Sequence, residues 1–367
     1  MIPITALQRM EYIDSIPFNE NTSQTLPTNG GLVPNDRFIH SLMLEFRGRL
    51  TMPGSSGPSA ALADSIAAII ERVTVEGYHR IRRQQEKVID MRGADLELEQ
   101  RFYLPARPIY TPSTISVSAS AQNDILLQVF VPFVPFRMNP VQQAGFLLDA
   151  PNYESLKLTI QWADFKNLVV PGTNAPTWSA YGSSSGSPTL RVYGNFAQNP
   201  ARFSGFVPGR IFRWFQEVTG SPVVTTANGV RLLDIPRGFE HRKVFLKTGT
   251  KATGATAGNN AFATLSDFLT DIRFNVGLGK YIRRWLDGNA CYADLVTSYN
   301  LPARIAGINI IDFASNGDLK EALNTRPWIA GPEGNVDVYL SGDVNGASNQ
   351  ALVAAFEEIR YRPVIAR

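Results

Sequence analysis

Apolar and polar residues alternate along much of this chain, and the alternation has the period of β-strands. Leu42, Leu44, Phe46 and Leu50 share one face, while Ser41, Glu45, Arg47 and Arg49 share the other. Leu156, Leu158, Ile160 and Trp162 alternate strictly, and Leu190 to Phe196 predicts another strand. The stretch 125–136 (ILLQVFVPFVPF) predicts a buried strand ended by prolines. After a Pro/Gly/Ser loop at 53–59, Leu62, Ile66, Ile69, Ile70 and Val73 fall at helical spacing. This predicts a short helix leading into a strand at Val73-Thr74-Val75, with a turn at Gly77 and a return strand from Ile81. Leu96 and Leu98 alternate with Glu97 and Glu99, which predicts a further strand with a solvated acidic face. Residues 1–35 show no sustained period. Pro3, Pro17, Pro27, Pro34 and Asn29-Gly30-Gly31 predict an arm that orders only by lying on something else.

The same order of elements then returns. Slid by 201 positions, residues 36–85 match 237–286 at eleven of fifty places, among them Phe38/Phe239, His40/His241, Arg72/Arg273, Val75/Val276 and Ile81/Ile282. Chance would give about three. Ala94-Asp95-Leu96 recurs as Ala293-Asp294-Leu295, and Phe136…Asn139 as Phe313…Asn316. A repeat this long means two copies of one domain. The second copy has strands at 239–248 and 308–313, an alternation Val336, Val338, Leu340 and a final strand near 352–362. Short helical pieces follow Asn139-Pro140 and span Asp318–Leu323. The expected organisation is an N-terminal arm at 1–35, a first domain at 36–200, a connecting segment at 201–237 without counterpart, and a second domain at 238–367.

Short alternating strands, loops of 8–18 residues and long return connections predict an all-β chain. The expected fold is two eight-stranded jelly-roll sandwiches with short inserted helices. An immunoglobulin-like sandwich needs only about 100 residues and lacks the inserted helices.

Composition narrows the function. Hydrophobic residues make up 44% and charged residues 18%, so much of the exterior is expected to be buried against other subunits. A net charge of +3 is too small to mark a dedicated nucleic-acid binder. The single cysteine, Cys291, excludes an intrachain disulfide and a cysteine zinc cluster. No apolar run approaches the roughly eighteen residues of a membrane span. Met1 to Leu7 has no basic start followed by an apolar run, so no secretory signal is expected there.

Catalytic chemistry is nearly absent, and no catalytic residue, metal or cofactor is expected. Of the three histidines, His40 and His241 occupy equivalent places in different copies and cannot share a metal site; His79 is the third. Gly182-Ser183-Ser184-Ser185-Gly186 spells a hydrolase elbow but lies in a Ser/Gly loop, where that strand-to-helix turn cannot form. Gly277-Leu278-Gly279-Lys280 falls short of a phosphate loop. Glu357 and Glu358 are adjacent and point to opposite faces of a strand. The charged feature that stands out is Arg80, Arg82 and Arg83, echoed by Arg283 and Arg284. Either these pair with Glu76, Glu86, Asp90 and Asp287, or they form a basic end on each barrel that meets phosphate from lipid or genome.

The run Ile70-x-x-Val73-x-Val75-x-Gly77-x-x-x-Ile81-x-Arg83 resembles the strand–turn–strand after the first loop of the double jelly-roll major capsid proteins of tailless icosahedral viruses. This is the lineage of tectivirus-like phages and adenovirus hexon. The resemblance extends over about 36–362 through element order, duplication and length. It implies a structural, non-enzymatic protein of the virion, made in the host cytoplasm. Homotrimers would form pseudo-hexagonal capsomers that tile an icosahedral shell. Their partners would be neighbouring capsomers, minor capsid proteins, and membrane lipid or genome at the inner face. The alternative is a receptor- or carbohydrate-binding spike, for which Trp178 and Tyr181 in the 171–188 loop are the candidate contacts. A glycosidase-type sandwich is a more distant third.

Overall fold

The computed structural model describes residues 8–26, 37–103, 110–111, 114–135, 145–197, 209–251, 261–277, 280–296, 303–314, 322–325 and 337–361. The chain divides into two compact units, Met1–Phe212 with Gly254–Ala261 and Tyr361–Arg367, and Arg213–Thr253 with Phe262–Arg360.

Eight main strands build the first jelly roll: β1 (Gln8–Pro17), β2 (Ser23–Leu26), β3 (Phe38–Thr51), β4 (Ile70–His79), β5 (Gln84–Met91), β6 (Gln122–Pro132), β7 (Lys157–Trp162) and β8 (Thr189–Ala197). Their hydrogen-bonded order is β1-β8-β3-β6 in one sheet and β2-β7-β4-β5 in the facing one. A second set of eight repeats this: β9 (Gly209–Thr219), β10 (Ala227–Asp234), β11 (Glu240–Lys251), β12 (Leu269–Val276), β13 (Lys280–Trp285), β14 (Ile308–Asp312), β15 (Val338–Val344) and β16 (Gln350–Tyr361). They pair as β9-β16-β11-β14 and β10-β15-β12-β13, so each strand matches the one numbered eight lower. A helix follows the fifth strand of each set: α1 (Gly93–Tyr103) after β5 and α2 (Gly288–Val296) after β13.

The period-2 faces become the cores. Leu42, Leu44 and Phe46 of β3 are buried with Val73, Val75, Leu127, Val129, Leu158 and Ile160. In the second unit Val244, Leu246, Ile272, Phe274, Leu340 and Phe356 form one cluster. Each such side chain contributes roughly 1.5–3 kcal/mol by leaving water. The 3-10 helix Ser65–Ile69 leads into β4 as its spacing predicts.

Four expectations change. Residues 8–26, read as part of an arm, supply the first two strands of the first jelly roll. β1 pairs antiparallel with β8 from Gln8↔Ala197 to Pro17↔Thr189. A bulge between Tyr12 and Asp14 shifts the parity, so Met10 and Tyr12 face out while Ile16 is buried, and no period survives in the sequence. Within 201–237, read as a connector without counterpart, β9 and β10 open the second set. β1 begins at Gln8 and β9 at Gly209, the same 201-residue spacing as the duplication. The boundary of the compact units falls inside β9, after Phe212.

The Leu96–Glu99 stretch is helix, not strand. Gly93–Tyr103 carries no β-branched residue and is rich in Ala, Leu, Glu, Gln and Arg, the better helix formers. Glu97 accepts from Arg101 Nε at 2.6 Å one turn away, and both Glu97 and Glu99 are buried rather than solvated.

Finally, Gly77 lies inside β4, paired with Glu86, and the turn is at 80–83, so Ile81 precedes the return strand. Gly77 is needed for a close approach: a Cβ there would stand 2.7 Å from the Ser155 carbonyl oxygen. The second hairpin is shorter and turns at Gly277 (φ 60°), which donates to the Asp337 carbonyl at 2.8 Å. The helical pieces expected after Asn139-Pro140 and over most of 318–323, and the turn residue Gly279, lie outside the described residues.

Candidate functional site

In the first unit the loops sort to two ends. At one end, the segments around 18–22, 52–61, 118–121 and 163–188 meet. Asn174 Nδ2 donates to the Ser55 carbonyl at 2.9 Å, Ser120 N to the Pro53 carbonyl at 3.2 Å, and Phe165 N to Glu20 at 3.1 Å. At the other end the turn 80–83 lies on 149–155, with Arg80 N donating to the Asn152 carbonyl at 2.8 Å. The second unit repeats the first end, where Lys251 N donates to the Asn349 carbonyl at 2.8 Å and Asn345 N to the Phe268 carbonyl at 2.9 Å.

Trp178 is half-buried and packed within its own unit. Its ring lies 5.0 Å from Phe18 and 5.9 Å from Phe46, Trp162 completes the cluster 5.1 Å from Phe18, and Nε1 donates to Glu20 at 2.7 Å. Burial raises the pKa of Glu20, an effect the Trp178 hydrogen bond opposes. Trp178 is thus engaged by an aromatic cluster and a carboxylate of its own unit, and Tyr181 is the more exposed aromatic of that loop. The Gly182–Gly186 segment is an open loop with both glycines at positive φ, not a strand-to-helix elbow. Among the described residues no group of three or more His, Cys, Asp or Glu is placed to hold a metal ion.

The five singled-out arginines do not form one site. Arg80 and Arg83 are exposed in the turn, Arg83 at φ 52°, and Arg82 reaches Glu86 at 3.5 Å. Arg283 and Arg284 sit in strand β13 rather than in a turn. Arg284 Nη2 donates to Asp271 at 2.9 Å, and Arg283 lies 3.5 Å from Asp294 with its guanidinium over the Phe313 ring. The ungapped match therefore ends at this hairpin, because the shorter second hairpin moves its arginines into strand. The side chains of Arg273 and Arg284, outweighing a small burial effect, hold the Asp271 carboxyl far below the usual range.

Sequence reasoning missed the buried ion clusters, one in each unit. In the first, Arg210 at the start of β9 is buried among Glu86, Asp149, His79 and Tyr153. Its Nη1 donates to Glu86 and, at 3.0 Å, to the Tyr153 hydroxyl, while Nε lies 3.2 Å from Asp149. Tyr153 in turn donates to Glu86 at 2.8 Å, and burial pushes its hydroxyl well above the ordinary tyrosine range. In the second, Glu357 of β16 meets Arg213, Arg242 (2.6 Å) and Lys243 (3.4 Å), all buried, with Asp312 3.7 Å from Arg242. Burial works to raise the pKa of Glu357, but Arg213, Lys243 and Arg242 overcome it and hold the carboxyl far below the usual range. Glu358 points the other way, accepting from Trp214 Nε1 at 2.8 Å. Burying such ions uncompensated would cost several kcal/mol each, so they come in sets. Cys291 in α2 is a core thiol whose pKa burial pushes up to about 12.

No protein-family model and no curated protein matches the chain. Solved structures do. The STIV major capsid protein superposes with a TM-score of 0.64 at 12% identity, covering 96% of each chain. The major capsid protein from bacteriophage PM2 gives 0.57 at 13% identity, over 98% of this chain and 100% of that one. A chain of the PBCV-1 virus capsid gives 0.55 at 12% identity, over 98% and 97%. Identity at this level speaks for architecture: this chain has the double jelly-roll fold of icosahedral-virus major capsid proteins, both barrels included.

Proposed function

We propose that this chain is a structural major capsid protein, trimerising into pseudo-hexagonal capsomers that tile an icosahedral virion shell. The observation that carries the reading is the end-to-end likeness to the STIV protein: both jelly rolls, in order, over 96% of either chain. A spike or lectin has no need of that full-length correspondence, and the aromatic such a site would use, Trp178, is packed against Phe18 and Phe46 and bonded to Glu20. A low charged fraction of 18% suits a chain whose surface is largely covered in a permanent assembly, where interfaces commonly exceed about 2,000 Å². The role is one of shape and contact, with no chemical step. Neighbouring capsomers and minor capsid proteins are its partners. Light scattering and negative-stain imaging of purified protein test the reading. The expected species has three times the 40.4 kDa chain mass and a hexagonal outline. A monomer at micromolar concentration overturns it.

A phosphate contact, from lipid headgroup or genome, belongs in this reading to the turn arginines Arg80, Arg82 and Arg83. Replacing Arg80 and Arg83 by glutamine is expected to leave trimers intact and lower particle yield. Unchanged yield makes them plain surface residues.

A further inference from the structure

Two 3-10 helices of the first unit meet at one small space. Ser65–Ile69 leads into β4, and Phe165–Asn167 follows β7. Residues of both, of the start of β4 and of the start of α1 line a cavity of about 10 Å³. That is room for one particle the size of a water molecule. The polar residues of its wall are Asp64, Glu71, Arg92 and Asn167.

Three of these are not used as such groups usually are. Asp64 stands at the N-cap of Ser65–Ile69, where a carboxylate ordinarily accepts from the first amides of the helix. Asp164 does so at the head of Phe165–Asn167, from Lys166 N at 3.1 Å, whereas Asp64 makes no capping bond. Glu71 is the extra residue of a β-bulge: β4 pairs with β7 through Ile70↔Trp162 and then through Arg72↔Gln161. A bulge re-aims the side chain it carries. The Glu71 Oε2 accepts from Gln161 Nε2 at 2.9 Å. Asn167 is 4% exposed, and its Oδ1 is buried without a hydrogen-bond partner, which native proteins rarely leave so. Arg92 adds little net charge, because its Nε and Nη2 donate to the buried Asp95 at 2.7 and 3.2 Å.

We propose that this cavity binds a calcium ion through the carboxylates of Asp64 and Glu71 and the amide oxygen of Asn167. All three ligands are hard oxygens. Calcium accepts uneven oxygen sets completed by water, while magnesium demands a regular octahedron and gives up its own waters reluctantly. Zinc would ask for nitrogen or sulfur. The third ligand is an amide, so no trio of acidic, histidine or cysteine side chains is involved. Asp64 and Glu71 are both half-buried, so water reaches the remaining positions. A water in the same place could bond Asn167 Oδ1 but would supply no charge against the two carboxylates. The ion would tie the segment ahead of β4 to the segment after β7, whatever the chain assembles into.

Calcium chloride titrated into chelator-stripped full-length protein, followed by calorimetry and by denaturant unfolding, tests this. One site per chain is expected, with a dissociation constant of roughly 10⁻⁴–10⁻³ M, the weak end that suits two carboxylates. At about 10 mM calcium the unfolding constant is then expected to fall about ten- to a hundredfold. Asp64→Asn combined with Glu71→Gln is expected to abolish that fall. Asn167→Asp, which adds a third carboxylate, is expected to be less stable in chelator and to gain more from calcium than the unchanged protein. A fall no larger than sodium chloride gives at matched ionic strength overturns the site. So does a fall that survives the double variant, since the ion then sits elsewhere. Equal stabilisation by magnesium overturns the assignment to calcium. Should the double variant not fold, Asn167→Asp decides alone, and an unchanged response to calcium there overturns the site.

Discussion

β3 and β11 are the same strand in two settings. Their inner faces are alike: Leu42, Leu44 and Phe46 in one, Val244 and Leu246 in the other, all buried. Their outer faces differ. On β3, Glu45 is buried too, but it accepts from Gln128 at 2.8 Å and from Arg47 at 2.7 Å, with Arg191 3.9 Å away, and both arginines are partly exposed to solvent. On β11, Lys243, Phe245 and Lys247 are buried outright, Lys247 with its ammonium 4.9 Å from the centre of the Phe262 ring. Duplication preserved the side of the strand that makes a barrel and left the other side free to change. What it became follows from the cost of a buried charge: where the outer face left water, its cations acquired Glu357 and Asp312.

The largest test removes that compensation. Glu357→Gln leaves three buried cations around a neutral group and is expected to cost roughly 3–5 kcal/mol. The corresponding change on the first barrel, Glu45→Gln, is expected to cost about 1 kcal/mol, the size of an ordinary hydrogen bond. Denaturant unfolding of the two variants checks both, and equal losses would erase the contrast between the outer faces.

The inner faces should behave alike. Leu44→Ala and Leu246→Ala are each expected to lose about 2–5 kcal/mol, as full burial implies. A loss confined to one barrel would mean that the two cores are not equivalent.

A smaller effect separates the paired histidines. Burial lowers the pKa of His241, partly opposed by Glu358, so the ring is neutral in the folded chain and takes a proton on unfolding below about pH 6.5. Stability held at pH 7 is therefore expected to fall as pH drops through that value toward the lower folded pKa. His241→Gln should flatten the slope between pH 7 and 5. His40→Gln, at the equivalent but only half-buried position, is expected to cost less stability than His241→Gln.

The least effect is expected at Ser184, in an exposed loop of the first unit. A tag inserted there should leave the unfolding midpoint unchanged and, under the proposed capsid function, should leave trimers intact and bind antibody in assembled particles.

Local sequence determined much of this protein. Strict alternation placed β3, β7, β8 and β11, helical spacing placed the turn before β4, and self-similarity at 201 residues announced two copies. In each case the signal was a period written in consecutive residues, because each strand had one face against a core and one outside it. Only the tertiary structure decided the rest. β1 loses its period to a bulge, and the first residues of β9, Gly209 to Arg213, are buried on both sides, so neither reads as amphipathic. Their partners stand far along the chain, β8 some 180 residues after β1 (Gln8↔Ala197), and no local pattern records that. The leucines of α1 alternate as a strand would, yet the segment is buried all round, so its period carried no information and helix propensity prevailed. The ions that matter most, Arg210 with Glu86 and Glu357 with Arg242, are separated by more than a hundred residues. Whether a charge lies in water or in a core is fixed by what folds over it, and that is a property of the assembled sheets, not of its neighbours in sequence.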